Sequence, residues 1–360
     1  MKMLRATPLL LAVFISVFGQ GFARSPPFPG FQQFPQDYQQ PYQEEQEDQQ
    51  YQEDQQNQQI PSDDENDLLY PYGTDQGDET TPREDDGTSG AIHLFQEFKF
   101  FGKTHSCLYV NNNGVLSFGT AVSQYTPDPF PLKDGRAFIT PFWADVDIEL
   151  GGDVFYQQTT NFAILRRITR DMAIHLPQLG FTATWAFIAT WHRVVFFGAA
   201  NPKTNTFQAI LTTDGNRYFA IFNYGDIQWT TGTASEGDPQ TGIGGIPAQA
   251  GFNSGDDTHY FNIPGSRTNE VMKIASTSNV GRPGRWVFQV DELQVFNGCI
   301  FQAKFANEGE TFWSDSSCSS KCHCEGSKVS CAGEACPKSG ICEESGSFYI
   351  CKAQEQHTCT

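Results

Sequence analysis

The sequence of 360 residues lacks the short motifs that mark many enzymes and receptor ligands. Its seven histidines never recur at the H-x-x-x-H spacing of a helical zinc site. It contains no Arg-Gly-Asp tripeptide and no N-x-[ST] sequon, so neither integrin binding nor N-glycosylation is expected. Lysine and arginine number only 23 against 42 aspartates and glutamates, which argues against nucleic acid or an anionic membrane as a partner.

Long hydrophobic runs are also scarce, and the clearest one is short. Residues 9–18 are apolar, follow Lys2 and Arg5, and precede the small residues Gly21 and Ala23. This arrangement predicts a secretory signal peptide over residues 1–23. A membrane helix needs about 18 or more apolar residues, so no membrane span is predicted. We expect a secreted protein of the extracellular space or matrix.

The next segment, residues 24–67, has almost no aliphatic side chains and is rich in Gln, Glu and Asp. It cannot bury enough apolar surface to offset the entropy of ordering, so it is predicted to be a disordered acidic tail. Residues 24–90 carry 17 acidic and two basic side chains, which is most of the net charge of -19. The tail is interpreted as a solvated spacer, although it could also attract Ca²⁺ or basic matrix proteins.

From residue 68 to residue 298 the sequence has the alternating pattern of an antiparallel β-sandwich-like domain. A hairpin is predicted to join residues 107–110 to residues 115–118 through Asn113-Gly114, because both turn positions tolerate positive φ. A second hairpin is predicted at Asp214-Gly215-Asn216. Aromatic residues are 14% of the chain and suit a core built between two sheets.

One segment of this domain has a helical period instead. Apolar side chains recur every four residues from Ile164 to Leu176, which predicts an amphipathic helix over residues 162–176. Asn161 stands at the N-cap position. The arginines of this segment are interpreted as a solvated helix surface rather than an anion site.

Six ordered stretches of the domain resemble the NIDO domain, a module of extracellular matrix proteins first described in nidogen. They read LYPYGTDQGD, FKFFGKTHSCLYVNNNGVLSF, RAFITPFWADVD, NTFQAIL, WTTGTASEGDPQTGIGGIPAQAGFN and YFNIPGSRT. Their order and spacing are similar in particular to tectorin-like members of that family. The resemblance implies a non-enzymatic adhesion or matrix-assembly module with no catalytic residues.

The stretch PFWADVDI at residues 141–148 looks most like a chemical site. Asp145 and Asp147 are two positions apart, so both carboxylates leave the same face of a β-strand. Together with Asp153 they could supply the clustered oxygens that Ca²⁺ prefers, and no other cofactor is predicted. The competing interpretation is a solvated or hydrogen-bonded strand edge.

Nine of the ten cysteines lie in residues 299–360. In a secreted chain this density indicates a disulfide-rich module rather than a zinc site. The spacing resembles the von Willebrand factor C-like and E-type modules that follow the NIDO domain in tectorin-like proteins. Connectivity cannot be read from the spacing, so the candidate disulfide residues are Cys107, Cys299, Cys318, Cys322, Cys324, Cys331, Cys336, Cys342, Cys351 and Cys359.

Nine cysteines cannot all pair among themselves. We expect one of them to bond Cys107 in the β domain, with Cys299 as the first candidate because it follows the last strand signal. The competing outcome is an intermolecular bond, which would give a disulfide-linked dimer and leave Cys107 as a free thiol.

These features predict a secreted, non-enzymatic extracellular matrix protein that mediates cell-matrix adhesion or matrix assembly by binding matrix glycoproteins. The candidate docking surface is the Gly-rich loop of residues 232–245, because loops on rigid β scaffolds commonly carry binding. The alternative is a soluble regulatory ligand or inhibitor that acts through the cysteine-rich module, residues 299–360.

Overall fold

The computed structural model describes residues 68–302, 304–326, 328–337, 340–345 and 348–353. These residues all belong to one compact unit, which begins at Asp63. The predicted signal peptide, the predicted disordered tail and Cys359 lie outside the described residues.

Two large antiparallel sheets build residues 68–298. In chain order their strands are β1 (Glu79–Thr80), β2 (Ile92–Phe100), β3 (Lys103–Asn111), β4 (Val115–Phe118), β5 (Ala137–Trp143), β6 (Val146–Asp147), β7 (Asp153–Thr159), β8 (Trp185–Phe196), β9 (Thr204–Thr213), β10 (Tyr218–Ile227), β11 (Gln249–Ser254), β12 (Tyr260–Asn262), β13 (Arg285–Gln289) and β14 (Gln294–Val295). The first sheet has the order β1-β7-β8-β9-β10-β13-β14, with β6 paired to β8. The second sheet has the order β12-β11-β5-β4-β3-β2.

The main core lies between these two sheets and is strongly aromatic. The rings of Phe222 on β10 and Phe252 on β11 have centroids 5.3 Å apart, and Phe252 lies 4.9 Å from Phe288 on β13. Each such ring pair contributes roughly 0.5–1.5 kcal/mol beyond the area that it buries. The predicted β-sandwich-like fold is confirmed, with the two predicted hairpins observed as β3-β4 and β9-β10.

The outer face of the first sheet is covered by the single α-helix of the described residues, α1 (Phe162–His175). Its Ile168 and Met172 pack in a second apolar cluster with side chains of the sheet such as Ile210. The predicted amphipathic helix is therefore confirmed, and Asn161 caps it by accepting a hydrogen bond from the Ala163 amide at 2.9 Å. Short 3-10 turns also occur at Thr74–Gln76, Pro177–Leu179, Thr233–Ser235 and Asn269–Ala275.

The cysteine-rich segment forms two small antiparallel sheets. Its strands are β15 (Gly298–Phe301), β16 (Lys304–Asn307), β17 (Thr311–Trp313), β18 (Lys321–Glu325), β19 (Lys328–Ala332), β20 (Gly340–Ser345) and β21 (Phe348–Ala353). Strand β15 pairs with β16, and the remaining strands have the order β19-β18-β17-β21-β20. Among the described residues, four disulfides cross-link this segment: Cys299–Cys324, Cys318–Cys342, Cys322–Cys331 and Cys336–Cys351.

Cys107 is a half-buried thiol on β3 with no disulfide partner among the described residues. The predicted Cys107–Cys299 bridge is wrong, because Cys299 on β15 bonds Cys324 on β18. Strand β3 instead lies inside the second sheet, where Cys107 is opposite His93 of β2.

The sandwich and the cysteine-rich segment share apolar contacts. Phe305 on β16 is buried in the main core, and its ring centroid lies 6.0 Å from that of Trp286 on β13. Because this ring would be uncovered if the chain were cut after residue 298, experiments on either part are best done with the full chain.

Candidate functional site

The two aspartates of PFWADVDI lie at one end of the sandwich, on either side of Val146 in β6. Val146 points into the main core, whereas Asp145 and Asp147 are buried at 2% and 6% exposure. Asp147 Oδ1 accepts hydrogen bonds from the amides of Glu149 and Leu150 at 2.9 and 3.3 Å. Of the competing interpretation, the solvated strand edge is not observed, whereas the hydrogen-bonded one is observed for Asp147, whose carboxylate is held by its own turn.

Asn113, in the Asn-Gly turn between β3 and β4, ties a second acidic segment to these residues. Its Nδ2 donates to Asp86 Oδ1 at 2.7 Å, and its Oδ1 accepts from the Val146 amide at 2.8 Å. Its carbonyl also accepts from the Ala144 amide at 3.1 Å. Asn112 holds the same segment, since its Nδ2 donates to the Pro82 and Glu84 carbonyls at 3.2 and 2.7 Å, so two neighbouring asparagines place residues 82–87 beside β6.

The result is a group of carboxylates that we call the acidic cluster: Asp85, Asp86, Asp145 and Asp147. Asp145 Oδ2 and Asp85 Oδ1 are buried and have no hydrogen-bond partner among the described residues. Burial, together with the negative charges of Asp85, Asp86 and Asp147, raises the pKa of Asp145 to about 7. Burial and its acidic neighbours likewise raise the pKa of Asp85 to about 6.

Asp153, the third predicted calcium ligand, is not brought into this cluster. It starts β7 after a turn at Gly151-Gly152, and its Oδ1 forms an ion pair with Arg83 Nη1 at 2.6 Å. Both side chains are about half exposed, 46% for Asp153 and 54% for Arg83. Strands β6 and β7 both pair antiparallel with β8, so the chain continues along β8 past the glycine turn. Asp153 therefore meets Arg83 instead of the buried carboxylates.

The Gly-rich loop of residues 232–245 packs on Asp145, and we call it the docking loop. The Asp145 carboxylate lies directly against this loop, since a Cβ at Gly232 would lie only 2.3 Å from Asp145 Oδ2. Only glycine permits this close approach. The two features that the sequence singled out separately, PFWADVDI and the Gly-rich loop, therefore form one site.

Internal hydrogen bonds fix the shape of the docking loop. The Ile246 amide donates to the Ser235 carbonyl at 2.9 Å, and Asp238 Oδ1 accepts from the Thr241 amide at 2.8 Å. The side chains at its tip remain exposed: Glu236, Asp238, Pro239, Gln240 and Thr241.

Asp85 and Asp86 were not predicted as site residues, because the sequence places them in a generally acidic stretch that begins in the tail. Their partners Asn113 and Asp145 are distant in sequence, and only the tertiary fold brings them together. The available local signal was the Asp85-Asp86-Gly87 triplet, which lies just before the isolated bridge between Thr88 and Asn111.

A second concave surface, also not predicted, lies at the other end of β3. This cleft of about 700 Å³ is formed by turns from both sheets and from β15-β16. Its lining includes the apolar side chains of Phe101, Tyr260 and Leu293 and the acidic residues Asp291 and Glu292. Because it is assembled from turns far apart in sequence, no local pattern could indicate it.

Among the residues that the structure describes, one group of three metal-binding side chains has ligand atoms within 4.8 Å of one another. It consists of Cys299, Glu308 and Cys324. The two cysteines are joined in a disulfide, so their sulfurs are not thiolates that could bind a metal.

Comparison with known proteins shows the family to which the chain belongs. The nidogen-like domain family, NIDO, matches residues 106–292, and the chain belongs to that family. Alpha-tectorin of Homo sapiens is 48% identical over 298 residues, which cover 81% of this chain and 14% of the tectorin. Nidogen-2 of Mus musculus is 34% identical over 243 residues, covering 62% of this chain and 17% of the nidogen.

A nematode relative, Dendrite extension defective protein 1 of Caenorhabditis elegans, is 30% identical over 285 residues. That match covers 76% of this chain and 22% of the relative. The chain thus spans a small part of the length of the proteins that it resembles. No solved structure matches it.

Alpha-tectorin and the nidogens are secreted proteins of the extracellular matrix, and the predicted extracellular location is confirmed. The described part of the chain contains no helix long and apolar enough to cross a membrane.

Proposed function

We propose that this protein is a non-enzymatic component of the extracellular matrix that binds other matrix proteins through its docking loop. Membership of the nidogen-like domain family supports a matrix role. The observation that carries the assignment to this surface is that the base of the loop packs against Asp145 through Gly232 while its tip is exposed.

A loop of fixed shape suits protein binding, because little conformational entropy is lost when the partner docks. The docking loop has this property, since Thr231 Oγ1 donates to the Gly244 carbonyl at 2.7 Å and the Gly237 amide donates to the Gly232 carbonyl at 2.9 Å. The first bond joins the two ends of the loop and the second closes a turn in its first half, and neither uses the side chains at its tip.

The charge of the loop indicates the chemistry of the partner. Glu236 and Asp238 are exposed at its tip, and the chain as a whole has a net charge of -19. The partner that fits is a matrix protein with a basic surface, whose association would be steered by charge and weakened by salt.

A non-enzymatic role is supported by the burial of the carboxylates in the acidic cluster. A general acid or base must come within hydrogen-bond reach of its substrate. Asp145 is 2% exposed and packed against Gly232, so a substrate could not contact it without displacing the docking loop. The raised pKa of Asp145 is explained by burial and by its acidic neighbours.

The test is affinity capture from matrix extract with the full secreted chain, followed by mass spectrometry. One variant, Glu236→Lys/Gln240→Lys, changes the loop tip, and a matched variant, Glu325→Lys/Ser330→Lys, makes the same charge change on exposed residues of the cysteine-rich segment. We expect the loop variant to lose the captured protein and the matched variant to retain it.

The same pair of variants tests the alternative function. If capture is lost only with Glu325→Lys/Ser330→Lys, the cysteine-rich segment is the binding part and the docking loop is not. If both variants capture the same proteins as the natural sequence, neither surface carries binding and the proposal fails.

A further inference from the structure

The cleft at the far end of β3, which we call the end cleft, combines apolar walls with negative charge. Its apolar side chains are half-buried: Phe101, Tyr260, Leu293 and Ile300. No lysine or arginine is among the described residues that line it. Its volume of about 700 Å³ lies within the range of roughly 300–1,000 Å³ that is usual for binding pockets, which also share this mainly apolar lining.

Two carboxylates of the end cleft are available to a cation. Glu292 is exposed and forms no ion pair or hydrogen bond with the described residues. Asp291 Oδ1 accepts only a long hydrogen bond, from the Tyr218 amide at 3.4 Å. The third carboxylate, that of Asp256, is already bonded to His259 Nδ1 at 2.5 Å. The negative charge left without a partner therefore lies in the turn between β13 and β14.

Hydrogen bonds between the turns fix the shape of the end cleft. The amides of Phe101 and Gly102 donate to the carbonyls of Val290 and Asp291 at 2.7 and 2.8 Å. Lys103 Nζ donates to a backbone carbonyl of the turn between β11 and β12 at 3.2 Å, so this cation is engaged outside the lining. A surface that is already shaped loses little conformational entropy when a partner binds.

Phe101 lies in the end cleft although its backbone conformation is unfavourable. It is the first of two turn residues between β2 and β3, with a φ of 45°, and Gly102 follows with a φ of 73°. Asn or Gly suits that first position better, because bulky side chains rarely adopt positive φ. Its ring centroid lies 4.8 Å from that of Phe100 and 6.5 Å from that of His259. Unfavourable backbone of this kind is found most often where a side chain serves a ligand.

We propose that the end cleft binds a segment of a partner protein that presents an arginine and an apolar side chain on one face. The guanidinium pairs with Asp291 and Glu292, because its planar fork matches carboxylate oxygens and it stacks well on an aromatic ring such as that of Phe101. The apolar side chain covers Leu293 and Ile300. In an extended segment, residues two positions apart share a face, so the pattern Arg-x-Leu fits.

The charge of the chain itself argues against its own acidic tail as the occupant. Residues 24–90 carry 17 acidic and two basic side chains. Such a segment would be repelled by the two carboxylates of the end cleft, whereas a basic partner segment is attracted to them.

The end cleft and the docking loop lie at opposite ends of the sandwich. Strand β3 runs between the two ends, and its nine residues at about 3.3 Å per residue separate them by roughly 25–30 Å. A chain with a binding surface at each end bridges two matrix proteins. This bridging rests on the proposed function, whereas binding at the end cleft does not.

The test is saturation-transfer NMR of a synthetic peptide, Ac-Ser-Arg-Ser-Leu-Ser-NH₂, added to the full secreted chain. We expect the peptide to bind at millimolar concentration or below. A control peptide with Glu in place of Arg, and another with Ser in place of Leu, should each bind at least about fivefold more weakly. Absence of binding at millimolar concentration, or equal binding of either control peptide, overturns the proposal.

Two variants assign the binding to the end cleft. Glu292→Lys should weaken binding of the peptide by about fivefold or more, because it removes a carboxylate and repels the guanidinium. The matched variant Glu344→Lys makes the same charge change on an exposed position of β20 and should bind the peptide like the natural sequence. Equal affinities of the natural sequence and Glu292→Lys would contradict the proposal.

Failure of this inference is distinguishable from failure of the proposed function. The loop variant Glu236→Lys/Gln240→Lys should bind the peptide like the natural sequence. If binding is lost in the loop variant but not in Glu292→Lys, the peptide binds the docking loop and the inference fails. If Glu292→Lys loses the peptide while the loop variant still captures the same matrix proteins as the natural sequence, the end cleft stands and the proposed function fails.

Discussion

Single buried polar residues hold the loops of this protein in place, and Asn113 is the clearest case. Its side chain joins Asp86 to the Val146 amide, and Val146 is fully buried. Asn113→Ala would leave that amide without a partner, at a cost of roughly 1–3 kcal/mol for each buried group left unsatisfied. Urea unfolding of Asn113→Ala and of the natural sequence measures this decrease in the free energy of unfolding.

The control for Asn113→Ala is Asn216→Ala, which changes the same residue type in an exposed hairpin turn. This variant should unfold at nearly the urea concentration of the natural sequence. Equal effects of the two substitutions would contradict the role assigned to Asn113.

His105 gives the protein a predictable response to acid. Its ring stacks on Phe118 with centroids 4.1 Å apart, and its Nε2 is buried without a hydrogen-bond partner among the described residues. Burial, followed by the charge of Lys103, lowers the pKa of His105 to about 4. The folded chain therefore keeps this ring neutral while the unfolded chain binds a proton below about pH 6.5, so its contribution to stability is lost as pH falls from about 6.5 to about 4.

The expected loss for His105 is on the order of 1 kcal/mol, reduced because the ring is partly exposed and screened. His105→Phe should show a smaller drop in melting temperature between about pH 7.5 and about pH 5.5 than the natural sequence. His93→Phe, on an exposed position of β2, is the control and should leave the drop unchanged. An identical drop in all three proteins would refute the assignment.

At the scale of elements, the sequence predicted the helix and the hairpins correctly, because these depend on interactions between residues that are close in sequence. The helix predicted over residues 162–176 is observed as Phe162–His175, since its period of four and its Asn161 cap act within a few residues. The Asn113-Gly114 hairpin was predictable for the same reason, with Gly114 at a φ of 79°.

The disulfide partner of Cys299 and the full acidic cluster were not predicted, because both depend on which distant segments of the chain become neighbours. The predicted Cys107–Cys299 pairing is wrong because it would need β3 to lie beside the chain at residue 299, whereas Cys299 bonds Cys324 of β18. The acidic cluster was only half predicted for the same reason. Asp145 and Asp147 are two positions apart in sequence, whereas Asp85 and Asp86 are placed near them by the long-range contacts of Asn112 and Asn113.

The cap of α1 can be tested by itself. Asn161 Oδ1 accepts from the amides of Ala163 and Ile164 at 2.9 and 3.4 Å. Asn161→Ala should destabilise the protein by about 1 kcal/mol, whereas Asn161→Ser should cost less because serine also caps helices. Chemical denaturation ranks the three proteins, and equal stability of the alanine and serine variants would show that the cap contributes nothing.

At the scale of the whole molecule, the disulfide pattern determines how the cysteine-rich segment is attached. The structure ties Cys299 to Cys324 and joins this segment to the sandwich by packing of Phe305 against Trp286 rather than by a bridge to Cys107. Peptide mapping without reduction should therefore recover the Cys299–Cys324 pair and find Cys107 alkylated after unfolding. A peptide that links Cys107 to another cysteine, in the same chain or in a second one, would contradict this arrangement.

The proposed function depends on one exposed, rigidly held loop that binds a basic partner in the matrix. The most direct measurement is hydrogen exchange of the full secreted chain, alone and mixed with the matrix protein that it captures. We predict that the partner slows exchange in residues 232–245 and leaves residues 299–353 unchanged. Protection confined to residues 299–353, or no protection in the docking loop, would contradict the central claim.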